Sequence, residues 1–142
     1  MIKLSNFSSI FIANWKLNGN IQFIREYYQN LLPNSKNCVV ICSPSIFLNR
    51  LENQKNLYSG AQDVSIYSEG SFTGEVSAQM LRNENVKFCL IGHSERRQNF
   101  NETNKRIKQK ASNLIDNMII PVICIGETLD EKENNLTKSV LI

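Results

Sequence analysis

The sequence predicts an α/β protein built on a parallel sheet, and two patterns carry that expectation. Short runs rich in Ile, Val, Phe and Cys alternate with longer amphipathic segments, and no strand–turn–strand signal joins neighbouring runs. Several runs are continuously apolar rather than alternating, as expected of a strand covered on both faces. They fall at Ile10–Trp15, Cys38–Cys42, Leu57–Ala61, Phe88–Gly92 and Ile119–Ile125, which predicts five strands.

Helices are expected between them. Glu102–Asn117 sets Ile107, Ala111, Leu114, Ile115 and Met118 at helical spacing, with Lys105, Lys108 and Gln109 on the opposite face. Ile21–Leu32 reads the same way, with Pro33 closing it. Pro44 stands where a helix should start, directly after the second strand. Thr128 to Glu133 opens a further helix with acids near its N-terminus. Ser65–Glu75 is the longest stretch without a period, and a loop of that length in a compact domain is more often functional than idle. The sequence stops at Val140-Leu141-Ile142 with no cap after it. An apolar face ending in mid-helix lacks a partner, so a cut terminus is expected.

A chain of 142 residues is the size of one domain and too short for two ordinary ones. Its 42% hydrophobic content excludes intrinsic disorder. With 16 basic against 13 acidic residues, the charge of +3 is not the footprint of a nucleic-acid binder. No apolar stretch is long enough to cross a bilayer, so no membrane partner is expected. Met1–Asn14 lacks the apolar core of a secretory signal, which makes a cytoplasmic location the expectation. Cys38, Cys42, Cys89 and Cys124 form no Cys-x-x-Cys pair and sit in apolar runs, as small buried hydrophobes do in a reducing compartment. One His and no Cys/His cluster argue against a metal site. The absence of a Gly-rich phosphate fingerprint argues against a nucleotide cofactor.

In parallel α/β sheets ligands bind beyond the carboxyl ends of the strands. Here those ends read Asn14-Trp15-Lys16, Gly60-Ala61-Gln62-Asp63, Ile91-Gly92-His93-Ser94-Glu95-Arg96-Arg97 and Ile125-Gly126-Glu127. His93 is either satisfied by a backbone partner or a functional imidazole. Ser94 to Arg97 resembles a first helical turn, whose dipole would disfavour the imidazolium and leave a ring able to donate to a carbonyl or shuttle a proton. Lys16 is either a solvated charge or a fixed cation for an anionic substrate, with Glu95 as its counter-ion. Asn14 either ends its strand or orients a ligand through its amide. The Arg96-Arg97 pair is expected to serve structure by pairing with carboxylates. Together these residues point to a small anionic substrate carrying a carbonyl. A phospho-receiver domain with Asp63 as acceptor is the rival, but it needs acids after the first strand and a lysine after the fifth. Asn14, Lys16 and Glu127 reverse those charges.

The same segments, with Leu17-Asn18-Gly19 and Phe72-Thr73-Gly74-Glu75, resemble triosephosphate isomerase in order and spacing across essentially the whole chain. The resemblance implies an α/β fold of the TIM (β/α)8 barrel family, here an incomplete barrel of about five parallel strands forming the N-terminal portion of a single domain, residues 1–142. It implies a cofactor-free isomerase of phosphorylated trioses in glycolysis and gluconeogenesis. Asn14 and Lys16 would contact substrate, His93 would be the electrophile, and Ser94 and Glu95 would support it. In that family a neutral histidine below a helix N-terminus is already the known electrophile, so the resemblance and the dipole carry one expectation rather than two. Ser65–Glu75 would be the loop of a homodimer, with Thr73 reaching the partner's site near Asn14. Ala13, Leu17 and Ser71 depart from common family residues without touching a catalytic role.

A complete barrel takes about 250 residues. The family's general-base glutamate, its mobile lid and its phosphate-holding amides belong to strands six to eight. The chain alone is therefore expected to be inactive, a fragment of an isomerase; the alternative is a half-barrel acting as an interaction module through Ser65–Glu75. Glu127 is expected only to support the site, and the open first and fifth strands are an aggregation risk.

Overall fold

Five strands pair in chain order in one parallel sheet: β1 (Ser9–Asn14), β2 (Asn37–Ser43), β3 (Leu57–Ala61), β4 (Phe88–Ile91) and β5 (Ile120–Ile123). All five expected runs are strands, Leu57–Ala61 with the same ends and the others within two residues. The structure is a computed structural model that describes residues 2–31 and 36–141. The sheet curls as an incomplete (β/α)8 barrel. Because the strands are parallel, every carboxyl end lies on the same rim.

Six α-helices are described. They are α1 (Ile21–Asn30), α2 (Ala78–Asn83), α3 (Ser94–Phe100), α4 (Asn104–Asp116), α5 (Leu129–Glu133) and α6 (Thr137–Leu141). Side-chain caps set several starts. Asn20, Ser77 and Thr103 each accept the N–H of the residue three positions on, and Thr128 with Glu131 forms a reciprocal capping box. The Leu32 and Pro33 end expected for α1 lies outside the described residues. After Pro44 the chain forms a 3-10 helix, Ser45–Arg50, rather than an α-helix. The helix expected after β5 is two short ones, because Asn134 caps α5 and Asn135 then turns left-handed at φ 59°.

Alternation along the strands makes three cores. Val40, Cys42, Phe88 and Leu90 pack on one face of the sheet with Phe7 and Ile2 against them. The other face of β2 gives Ile41 to a cluster with Ile24 and Tyr28 of α1 and with Leu51 and Leu57. Cys89 and Ile91 meet Leu81 of α2 and Ile107 and Leu114 of α4. Gly60 is required where β3 crosses the first face: a Cβ there would lie 2.6 Å from Cys42 Sγ and 3.0 Å from Val40 Cγ1.

Burial on both faces holds for the three central strands only. Phe11 of β1 is 55% exposed and Ile123 of β5 is 50% exposed, since each edge strand has a single neighbour. In α4 the buried stripe is Ile107, Lys110 and Leu114, while Ile115 and, just past the helix end, Met118 face outward. Trp15 packs edge-on against Phe23 and Tyr27 of α1, with ring centroids 5.2 and 5.7 Å away. Ser65–Glu75 contains no regular element; Ser65 N–H bonds Val76 O at 2.8 Å across its base, and the Tyr67 and Phe72 rings stack at 3.6 Å.

Candidate active site

The strand rim opens into a cleft of about 850 Å³ lined by Asn14, Lys16, Gln62, Asp63, His93, Glu95 and Arg96, among others. Asn14 ends β1, and its Oδ1 accepts the Lys16 N–H at 3.0 Å. That closes a tight turn in which Lys16 takes φ 53°, a left-handed conformation costly for a residue with a Cβ. Gln62, just beyond β3, braces the turn from behind. Its amide donates to Lys16 O and to Cys42 O, both at 2.9 Å.

The Lys16 ammonium so placed donates to Glu95 Oε1 at 2.8 Å. This bond is the first cause holding the Glu95 carboxyl below the usual range; desolvation opposes it, and the Lys16 charge adds to it. Both side chains remain about half exposed, so the ammonium stays open to the cleft.

His93 follows β4 through Gly92, which sits at φ 69° with a Cβ position 2.8 Å from Ile107 Cδ1, so only glycine fits. The imidazole caps α3: Nδ1 accepts the Glu95 N–H at 3.3 Å. Glu95 Oε2 also lies 3.4 Å from Nδ1. One nitrogen cannot accept the amide and donate to the carboxylate together. The amide N–H is fixed by the helical turn and the carboxylate is already held by Lys16, so the network assigns Nδ1 as acceptor and Nε2 as the N–H donor.

Beneath the cleft lies a charged network. Asp63 joins Arg96 Nη2 and Lys110 Nζ, each at 2.6 Å, and Lys110 also bonds buried Glu102. Glu102 Oε2 accepts the Gly92 N–H at 3.1 Å and so ties the network to the His93 turn. Burial pushes the Asp63 carboxyl up, and its hydrogen bond and the charges of Lys110 and Arg96 only partly offset this. Burial acts upward on Glu102 too, but the Lys110 bond, the nearby cations and the Gly92 N–H outweigh it and hold that carboxyl low. Arg96 thus pairs with carboxylates as expected. Arg97 instead bonds the carbonyls of Gly92 and Cys124, at 2.7 and 3.2 Å, and Asn104 Oδ1 at 2.7 Å, lacing β4 to β5.

The ring and the ammonium therefore face one cavity. A family model described as triosephosphate isomerase matches residues 9–142.

The chain belongs to the triosephosphate isomerase family.

It is 39% identical over 139 residues to the triosephosphate isomerase of Clostridium tetani, covering 94% of this chain and 54% of that protein. The triosephosphate isomerase of Mycoplasmopsis pulmonis is 40% identical over 145 residues, 93% of this chain and 58% of its own. That of Buchnera aphidicola subsp. Cinara cedri is 38% identical over 141 residues, 92% and 56%. The chain spans about half the length of the curated relatives it matches.

Of the residues singled out in the sequence, Asn14, Lys16, His93 and Glu95 converge on the cleft. Ser94 opens α3 and Thr73 is exposed on the loop, and neither lines it, although Gly74 and Glu75 do. Glu127 accepts from Thr137 Oγ1 at 3.2 Å and is not among the residues lining the cleft. Gln62 and Lys110 carry structure that the sequence reading missed. For Lys110 a signal exists: it stands between Ile107 and Leu114 on the buried stripe, where a charge needs a partner.

Proposed function

We propose that this chain carries the electrophilic part of a triosephosphate isomerase site, which interconverts dihydroxyacetone phosphate and glyceraldehyde 3-phosphate through an ene-diolate. The observation that carries this is the Glu95 pivot, whose carboxylate holds Lys16 at 2.8 Å while its N–H takes His93 Nδ1 at 3.3 Å. Nε2–H donates to the substrate carbonyl oxygen as negative charge grows there, and the ring then moves a proton between the two ene-diolate oxygens. The Lys16 ammonium offsets substrate charge, and the Asn14 amide orients the triose. No cofactor has a part in these steps.

The reaction also needs a base to remove the carbon-bound proton. Among the carboxylates lining the cleft, Glu95 is engaged by Lys16, and Asp63 by Arg96 and Lys110. Glu75, the third, sits on the Ser65–Glu75 loop rather than at a strand end. In this reading the base is the family's strand-six glutamate, and the 142 residues alone give no turnover above the free-solution rate. The complete protein is a cytoplasmic, glycolytic homodimer. Gly74 and Glu75 line the same cleft as Asn14, and the exposed Thr73 beside them is the residue that would reach a second copy's site.

The test joins this chain to the remaining strands of the Clostridium tetani relative. Isomerase turnover is expected in the fusion, and His93→Gln should lower it by about 10²–10⁴ with less change in substrate binding. A cooperatively folded fusion without turnover, or one indifferent to His93→Gln, overturns the assignment.

A further inference from the structure

Away from the strand rim, α1 and the segment leading into β3 enclose a second cleft of about 220 Å³. Ile21 and Ile24 give it an apolar wall, and Arg25, Tyr28, Arg50 and Glu52 give it polar groups. Nothing in the triose chemistry uses it. Tyr28 is 93% buried by its 7% exposure, and its hydroxyl is the buried side-chain polar atom that no described residue satisfies. Such a group is normally paired in a folded protein, and a lone orphan marks a place where something else completes the bonding. Burial, with the nearby Glu52 carboxylate, pushes the phenol up to about 12, so it keeps its proton and stands as a donor.

The charges around this donor favour an anion. The Arg25 and Arg50 side chains make no hydrogen bond or ion pair with a described residue, and Glu52 is the single carboxylate in the lining. Arg25, Arg50 and Glu52 are exposed, long and rotatable, and they line the cleft together with Tyr28. Guanidinium groups match the planar edges of carboxylate and phosphate oxygens. We propose that this cleft binds a small hydroxylated oxyanion, with Arg25 and Arg50 holding its charged group, Tyr28 donating to it and Glu52 accepting from its hydroxyl. A cleft of about 220 Å³ suits a small anion better than a nucleotide.

Inorganic phosphate, which carries both oxyanion and hydroxyl, is the probe. Titrated into the isotopically labelled chain against chloride at equal ionic strength, it should shift the Ile24, Arg25 and Arg50 amides saturably. Arg25→Gln with Arg50→Gln should weaken that response at least tenfold, while any response at Lys16 and His93 stays. Tyr28→Phe should weaken it at least threefold without lowering the melting temperature, since the lost hydroxyl had no partner. A linear response, an equal one with chloride, or one unchanged in either variant overturns the proposal. A marked drop in the melting temperature of Tyr28→Phe also overturns it, because the hydroxyl then has a protein partner. None of these outcomes bears on the His93 assignment, which is read at separate resonances.

Discussion

The Gln62 side chain holds the Lys16 carbonyl at 2.9 Å from a position 46 residues further along the chain. The same amide reaches Cys42 O, so one side chain sets the height of the Lys16 turn against the end of β2. Gln62→Leu removes both bonds and is expected to cost about 1–3 kcal/mol in urea unfolding. Lys16→Gly has the opposite sign: it relieves the left-handed φ and loses an exposed ion pair of small worth. It should raise stability in urea unfolding by up to about 1 kcal/mol.

The Glu95 carboxyl, held low by Lys16, links site geometry to pH. A carboxyl whose folded value lies below its unfolded one stabilises the fold above the ordinary value near 4.5, and loses that contribution as pH falls through the lowered folded value. A carbon-detected NMR titration should give Glu95 a midpoint below 4.5, and Lys16→Met should move it upward. An unchanged midpoint would mean that the bond does not persist in solution.

Lys110 supports two carboxylates from inside the protein. Lys110→Met leaves Glu102 buried beside Asp63 with only Arg96 to balance them, and should cost about 3–5 kcal/mol in urea unfolding. Adding Glu102→Gln should recover part of that loss, because one uncompensated charge goes with it. A double variant no better than the single would place the loss in packing instead.

Burial pushes up all four thiols, Cys42 to about 12. Cys38, Cys42 and Cys89 are buried, and Cys124 is partly so. Few are thiolates at pH 8, so alkylation of the native chain should be slow at all four and become fast only in urea. Rapid native labelling of Cys42 or Cys89 would show that the sheet opens locally.

The sheet is legible in the sequence because a strand covered on both faces must be apolar throughout, and Cys38–Cys42 and Phe88–Gly92 are. Chemistry at strand ends is legible for a related reason: a polar side chain directly after an apolar run, as at Lys16 and His93, marks the rim. Contacts set by the third dimension are not. Asp63 and Lys110 stand 47 residues apart, and nothing near either one names the other. Helix faces mislead when a buried lysine counts as polar, which is why Ile115 and Met118 look interior and Lys110 does not. The short α2 has too few residues to show a period, and the Asn134-Asn135 break turns one expected helix into two.

Trp15 is the chain's sole indole, and it lies between Asn14 and Lys16 with Phe23 and Tyr27 around it. The molecule therefore carries a built-in fluorophore at the hinge of its own cation. Its ring packs on α1 rather than lining the rim cleft, so its emission should report loss of that packing on unfolding without any label.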